Sequence, residues 1–308
     1  MKFKDHFSGH AAEYARFRPH YPDELFEHLA SISPRRELAW DCATGNGQGA
    51  VGLARHFEKV IATDASAQQI ESAEPDKRIS YRVAPAEASG VDSASVDLIL
   101  VAQALHWFDL DRFFTEAKRV LKDDGVLAIS SYKHLEIMPE IDAIIWKFYR
   151  ETTGPFWPPE RDLVETDYKN IQLPFSELPH RQFEMRTQWN LNQLLGYLRT
   201  WSATQRFIAT RGFDPVDSVA EELGTVWKNP EEVREINGLC IYALAFRKCA
   251  DGFNETAGNR VPSCSCSCSR FFEHEYEQDY EHEWKRKRRA LRPAPPLSLS
   301  SFSLAIAL

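Results

Sequence analysis

Residues Asp41-Cys42-Ala43-Thr44-Gly45-Asn46-Gly47-Gln48-Gly49 decide the fold of this chain. They lie between a short strand pattern, Glu37 to Trp40, and a helix pattern, Ala50 to Phe57, in which Val51, Leu53, Ala54 and Phe57 are apolar. Glycines in such a strand-to-helix turn let the backbone approach a ligand with no Cβ in the way. The next strand pattern, Lys59 to Asp64, ends in a carboxylate 19 residues after Gly45. A carboxylate placed there can accept hydrogen bonds from both hydroxyls of a ribose.

Outward from this loop the alternation continues. A helix is expected from Ala67 to Ala73, stopped by Pro75, then a strand over Ile79–Val83. Val96 to Ala102 is a nearly continuous apolar run, as a strand covered on both faces requires. Leu110, Phe113, Phe114, Ala117, Val120 and Leu121 recur at helical spacing. Gly125 is expected to break the chain before a fifth strand, Val126–Ser130. Such β–α units imply a parallel sheet with helices on both faces. Two later strand patterns, Phe183–Trp189 and Leu239–Phe246, flank a helix marked by Leu191, Leu194, Leu195 and Leu198. The expected fold is therefore a doubly wound α/β sheet of seven strands, mostly parallel, closed by antiparallel strands, with a helical lid insertion at about 139–180.

The loop alone is ambiguous, because Gly45-x-Gly47-x-x-Ala50 with an acid further on also satisfies a dinucleotide fingerprint. Asp41 argues against that reading. A carboxylate ahead of the glycines suits a cationic ligand and repels a pyrophosphate held at the helix N-terminus. The two late strands also stand where a dinucleotide fold repeats its mononucleotide half.

Composition sets outer bounds. The chain has 308 residues, 43% hydrophobic and 27% charged, with 37 basic and 45 acidic side chains and a net charge of −8. This is enough apolar material for a core, and the charge opposes a broad grip on nucleic-acid phosphates. No run reaches the roughly 18 apolar residues of a membrane-spanning helix, and the start lacks a secretory apolar run. The six cysteines, including Cys42 and the Ser-alternating Cys264, Cys266 and Cys268, lack zinc-site spacing and read as reduced thiols of a cytoplasmic protein. His134, His180 and Cys42 have no partners at metal-site spacing, so no metal is expected. Near Ala250 the character changes to Ser-Cys repeats, an acidic-aromatic run, a basic run (Lys285–Arg289) and a Pro/Leu/Ser-rich end. Residues 250–308 hold 8 basic and 8 acidic residues, so the whole −8 falls in residues 1–249, the expected domain. The remainder reads as a low-complexity, disordered tail.

Several separated pieces resemble class I S-adenosylmethionine-dependent methyltransferases, and more closely the small-molecule branch that includes trans-aconitate methyltransferase-like proteins. They are Phe7-Ser-x-x-Ala-x-x-Tyr14 with Arg18-Pro-x-Tyr-Pro22, the Asp41–Gly47 loop, Asp64, Pro85-Ala86-Glu87, Gln103-Ala-Leu-His106-Trp107-Phe-Asp109, Arg119–Gly125 and Tyr197–Ser202. The resemblance implies S-adenosyl-L-methionine as cofactor, held by Asp41, Ala43, Gly45, Gly47, Asp64, Ala86, Glu87 and Gln103. It departs from the family at Ala43, where the first loop glycine stands, and at Pro85, where many members place a polar residue.

Methyl transfer from a sulfonium is an in-line displacement, so the protein must chiefly align the reactants and exclude water. The resemblance places His106, Tyr14 and Arg18 as catalytic candidates. An imidazole suits base or orienting work, and a guanidinium can pair with a carboxylate. Tyr21, Trp107 and Arg199 are the substrate-wall candidates. The expected partner is a small-molecule acceptor, possible acids included, with neither nucleic acid nor membrane. Competing readings are a cofactor-binding regulatory protein without catalysis, an RNA or protein methyltransferase, and an NAD-dependent oxidoreductase.

Overall fold

The computed structural model describes residues 16–132, 136–168, 170–178 and 181–247, and of 237–247 the backbone alone. Tyr14 with the Phe7–Tyr14 segment, His134, His180 and the 250–308 tail lie outside the described residues.

The chain enters through α1 (Asp23–Ile32) and then lays down β1 (Leu38–Cys42), α2 (Gln48–Leu53), β2 (Lys59–Asp64), α3 (Ala67–Glu71) and β3 (Ile79–Val83). It crosses back to β4 (Val96–Ala102), α4 (Leu110–Val120) and β5 (Leu121–Ser131). Helices α5 (Pro139–Lys147) and α6 (Arg161–Glu165) and the two-residue β6 (Ser176–Glu177) follow. The chain closes with β7 (Arg181–Trp189), α7 (Leu191–Arg199), α8 (Ser202–Arg211), α9 (Val216–Trp227) and β8 (Arg234–Arg247).

The sheet order is β3-β2-β1-β4-β5-β8-β6, with β7 also on β8. The first five strands are parallel, and β8 runs antiparallel to β5 and β7. The expected five parallel strands and antiparallel pair are thus present. The eighth strand is β6, which takes two residues of β8's pairing. Chain order reverses between β1 and β4, and in such sheets ligands bind outside the carboxyl ends of the strands at this reversal.

Successive residues of β4 serve opposite faces, as the two-residue period of a strand requires. Leu98 and Leu100 pack with α1, α2, α5, α7 and α9, while Ile99 and Val101 pack with α4 and α6. Within this apolar strand Asp97 is fully buried. Its carboxylate accepts from the backbone N–H groups of Glu37 and Leu38 at 3.0 and 3.1 Å and pairs with Lys122 at 2.8 Å. A buried charge is tolerated when it is paired and hydrogen-bonded in this way. The pairing fixes the starts of β1 and β5 beside β4.

Some boundaries differ from the sequence reading. Helix α2 starts earlier and ends at Leu53, and α3 ends at Glu71. Gly125 does not separate β5 from what precedes it. The strand begins at Leu121 and absorbs the extra residues in a register shift opposite Val96–Leu98.

Gly52 lets α1 and α2 meet. A Cβ there would lie 2.1 Å from Cζ of Phe26, a residue itself buried. Gly52→Ala is therefore expected to cost about 1–3 kcal/mol of overpacking strain in urea unfolding, and adding Phe26→Leu should recover part of it. Equal stability of wild type and Gly52→Ala would contradict this contact.

Candidate active site

The loop after β1 and the loop after β2 are joined by hydrogen bonds. Thr44 N–H donates to Thr63 O at 2.9 Å. One carboxylate oxygen of Asp64 accepts from Gly45 N–H at 2.9 Å, and the other from Ser66 N–H at 2.8 Å. Ser66 in turn caps α3 by accepting from Gln69 N–H. Asp64 stays half-buried at the carboxyl end of its strand.

Gly45 and Gly47 have φ of 56° and 90°. At Gly47 a Cβ would also stand 2.5 Å from Oη of Tyr81, so the β3 side chain lies directly on the loop. Ala43 shares the left-handed conformation, with φ of 57°. The methyl at this family-glycine position is therefore strained.

Asp41 is buried beneath the loop. Its carboxylate accepts from the Thr44 hydroxyl, and the Ala50 N–H also favours the charged form. Burial outweighs both, and with the nearby charge of Asp64 it lifts the Asp41 carboxyl to about 7. Burial pushes the neighbouring Cys42 thiol well up, so it behaves as an apolar core group.

The other wall is built from the loops after β3 and β4. Ala86 is buried, and Glu87 accepts from Asp109 N–H at 2.9 Å, tying the β3 loop to the start of α4. Gln103, the residue after β4, has φ of 56°; its N–H donates to Ser130 O and its side-chain amide to Tyr132 O at 2.6 Å. The turn Leu105–Trp107 then presents His106, buried, with its ring 4.6 Å from that of Trp107. Nδ1 of His106 lies 3.0 Å from the Tyr168 hydroxyl. Burial, helped by the charge of Arg161 and opposed by Glu160, lowers the His106 imidazole to about 3.

Arg18 donates to the Tyr132 hydroxyl at 2.9 Å and to Thr200 O at 3.2 Å, and it covers the Tyr197 ring at 5.3 Å. Tyr21 meets Phe26 and Tyr132 edge-on. Both thus brace the segment before α1 against the ends of β5 and α7. Arg199 is committed elsewhere. It pairs with Asp214 at 2.5 Å and Asp217 at 2.9 Å, linking α7 to the start of α9. Trp201 packs in an aromatic group with Phe148, Tyr149, Trp157 and Tyr197.

The sequence reading missed Thr44, Ser66, Tyr81, Tyr132, Arg161 and Tyr168. A hydroxyl one or two residues past a strand end was a usable signal for Thr44 and Ser66. No periodicity marks Tyr168. Among the described residues no group of three or more His, Cys, Asp and Glu could hold a metal ion, and no helix is long and apolar enough to cross a membrane.

Comparison with known proteins gives concordant findings. A family described as a methyltransferase domain matches residues 40–129. A protein of Dictyostelium discoideum described as a methyltransferase is 37% identical over 234 residues, 75% of this chain and 89% of its own. A Saccharomyces cerevisiae protein described as an S-adenosylmethionine-dependent methyltransferase is 30% identical over 150 residues, 45% of this chain and 51% of its own. The solved structure of a protein described as a type II methyltransferase, from Anaeromyxobacter dehalogenans, is 40% identical with a TM-score of 0.70, covering 76% of this chain and 99% of that one.

Two outcomes follow from the site's energetics. Ala43→Gly relieves the left-handed strain at the expense of a freer unfolded chain, and a net gain of about 1 kcal/mol is expected in urea unfolding; a loss would contradict a strained Ala43. Asp41 has a folded-state pKa raised from 3.8 to about 7. Its folded form holds a proton that its unfolded form has lost, so its contribution is greatest below about pH 4 and falls as pH rises to about 7. Measured against Asp41→Asn, wild type should lose relative stability across that window and none above it. Parallel curves would contradict the shift.

Proposed function

The chain belongs to the class I S-adenosylmethionine-dependent methyltransferases, and from that premise we propose that it methylates a small molecule, with a carboxylic acid as acceptor class and the trans-aconitate-like proteins as its branch. The observation that carries the placement of the site is the Asp64 carboxylate, which accepts from Gly45 and Ser66 at the reversal of strand order.

The residues fit the cofactor. Asp64 would accept the ribose hydroxyls, and Gly45 and Gly47, with Ala43, would form the cradle around the nucleoside. Asp41 lies buried behind that cradle with its carboxyl lifted to about 7, so a cationic ligand bound there would favour its charged form. Ala86 and Glu87 would border the adenine, and Gln103 the end of β4. Bound S-adenosylmethionine supplies a methyl group activated on a sulfonium. This chain's part is to hold the acceptor in line with it and to keep water out.

His106 and Trp107 would form the acceptor wall, with Tyr21 and Tyr14 closing from the N-terminal side. Arg18, held by Tyr132, Thr200 and Tyr197, would pair with an acceptor carboxylate. In this reading Arg199 contributes by bracing α7 under the same wall, and residues 139–180 act as its lid. The domain is residues 1–249, with the 250–308 tail outside it, in a cytoplasmic protein. A second reading, cofactor binding without turnover, takes its support from the strained Ala43.

The test is to incubate the protein with methyl-labelled S-adenosylmethionine and a cell extract separated into small-molecule, RNA and protein fractions. Label is expected in the small-molecule fraction and should be released by mild base as methanol from a methyl ester. Label confined to RNA or protein would overturn the acceptor class. No label in any fraction, with binding intact, would favour the second reading.

A further inference from the structure

The segment after α6 contains two consecutive non-glycine residues in the left-handed region, Asp167 at φ of 54° and Tyr168 at 57°. Each such residue is strained and persists only where its surroundings over-determine it. The surroundings here are specific. Tyr168 N–H donates back to Leu163 O at 2.8 Å, Tyr168 O accepts from Ile171 N–H at 3.0 Å, and the side chain is buried with Val164 and Leu105 in the α4-side core. The strained turn delivers one polar atom inward, the hydroxyl, and sets it 3.0 Å from Nδ1 of His106. The two rings lie nearly parallel, 6.3 Å apart at 23°.

We propose that Tyr168 is a positioning residue of the methyl-transfer site: its hydroxyl donates to Nδ1 of His106, so the imidazole stays neutral with its proton on Nε2 and meets the acceptor as a hydrogen-bond donor. The direction of the bond follows from the groups present. Tyr168 is buried, and among the described residues the partner of its hydroxyl is Nδ1 of His106, so an O–H that did not donate there would be buried without an acceptor. A ring with Nδ1 accepting carries its proton on Nε2. The charged groups facing the ring agree. Arg161 of α6 opposes an imidazolium, Glu160 favours one more weakly, and burial opposes it most.

The consequence for the acceptor rests on His106 belonging to the acceptor wall. A neutral Nε2–H donor takes no proton, so the acceptor must arrive with a lone pair already available. This suits a carboxylate or another anionic oxygen and disfavours an alcohol that has to be deprotonated. In the transfer the acceptor's lone pair forms the new bond to the methyl carbon, the electron pair of the broken C–S bond returns to sulfur, and no proton moves.

The ring nitrogens can be read directly, without an acceptor or turnover. Imidazole-labelled protein is followed by long-range proton–nitrogen correlation NMR from pH 5 to 9, in wild type and Tyr168→Phe, with His106 assigned through His106→Gln. In wild type the expected result is a single Nε2–H tautomer of His106 that does not titrate across the range. In Tyr168→Phe, which removes one oxygen, a mixture of tautomers is expected. An Nδ1–H tautomer, a His106 titration near neutral pH, or a Tyr168→Phe spectrum unchanged at His106 would each overturn the proposal. Should Tyr168→Phe fail to fold, the wild-type tautomer decides alone. A correct tautomer in a protein whose labelled methyl goes only to RNA or protein would leave Tyr168 in place and remove the acceptor reading.

Discussion

The carboxylate of Asp64 is the constraint on which the site depends. It sits at the carboxyl end of β2 and accepts from backbone donors of two different loops, Gly45 after β1 and Ser66 at the start of α3. These bonds set the path of the glycine loop relative to the sheet, and Thr44 N–H on Thr63 O adds a third tie. Because the loop is held there, Asp41 is covered, and because it is covered beside a second carboxylate its proton is held to about pH 7. One acceptor at a strand end thus sets both the shape of the cradle and the charge state of what lies beneath it.

Charge is distributed unevenly around this cradle. In the reading proposed above, its nucleoside side would hold Asp64 and an Asp41 carboxyl lifted to about 7, and its acceptor side neutral rings. His106 is held neutral by burial, with the Trp107 ring tilted against it and the Tyr168 ring nearly parallel to it. A reaction in which positive charge disperses needs little charged assistance from its acceptor side, and a dry, fixed environment favours it. Arg18 is braced through Tyr132 and Tyr197, and in the proposed reading its ionic contact would orient rather than activate.

Much of the fold was legible because its signals are local. Lys59–Asp64, Ile79–Val83 and Val96–Ala102 appear with the bounds their patterns suggest, and Val96–Ala102 is apolar but for Asp97 because it is covered on both faces. The β1 loop was legible through its glycines and the acid at Asp64. What was not legible depends on distant partners. Gly125 reads as a breaker, yet β5 starts at Leu121, because pairing opposite Val96 compensates the irregularity. Arg199 read as a substrate contact because its acidic partners come from a helix start 15 and 18 residues away. His106 read as a candidate base or orienter, and nothing nearby in the chain reveals that Tyr168, 62 residues later, meets its ring. Ala43 shows the reverse case: its departure from the glycine pattern was visible, and the backbone angle supplied the sign of its effect.

The central claim is that Asp64 holds the ribose of S-adenosylmethionine, and calorimetric titration of wild type and Asp64→Ala tests it most directly. The lost charge-assisted contact is worth roughly 1.5–3 kcal/mol, so affinity should fall by about one to two orders of magnitude in a variant whose circular dichroism matches wild type. Replacing S-adenosylhomocysteine by its 2′,3′-dideoxy analogue should weaken binding to wild type far more than to Asp64→Ala. Unchanged affinity in the folded variant, or equal sensitivity of both proteins to the missing hydroxyls, would contradict the account.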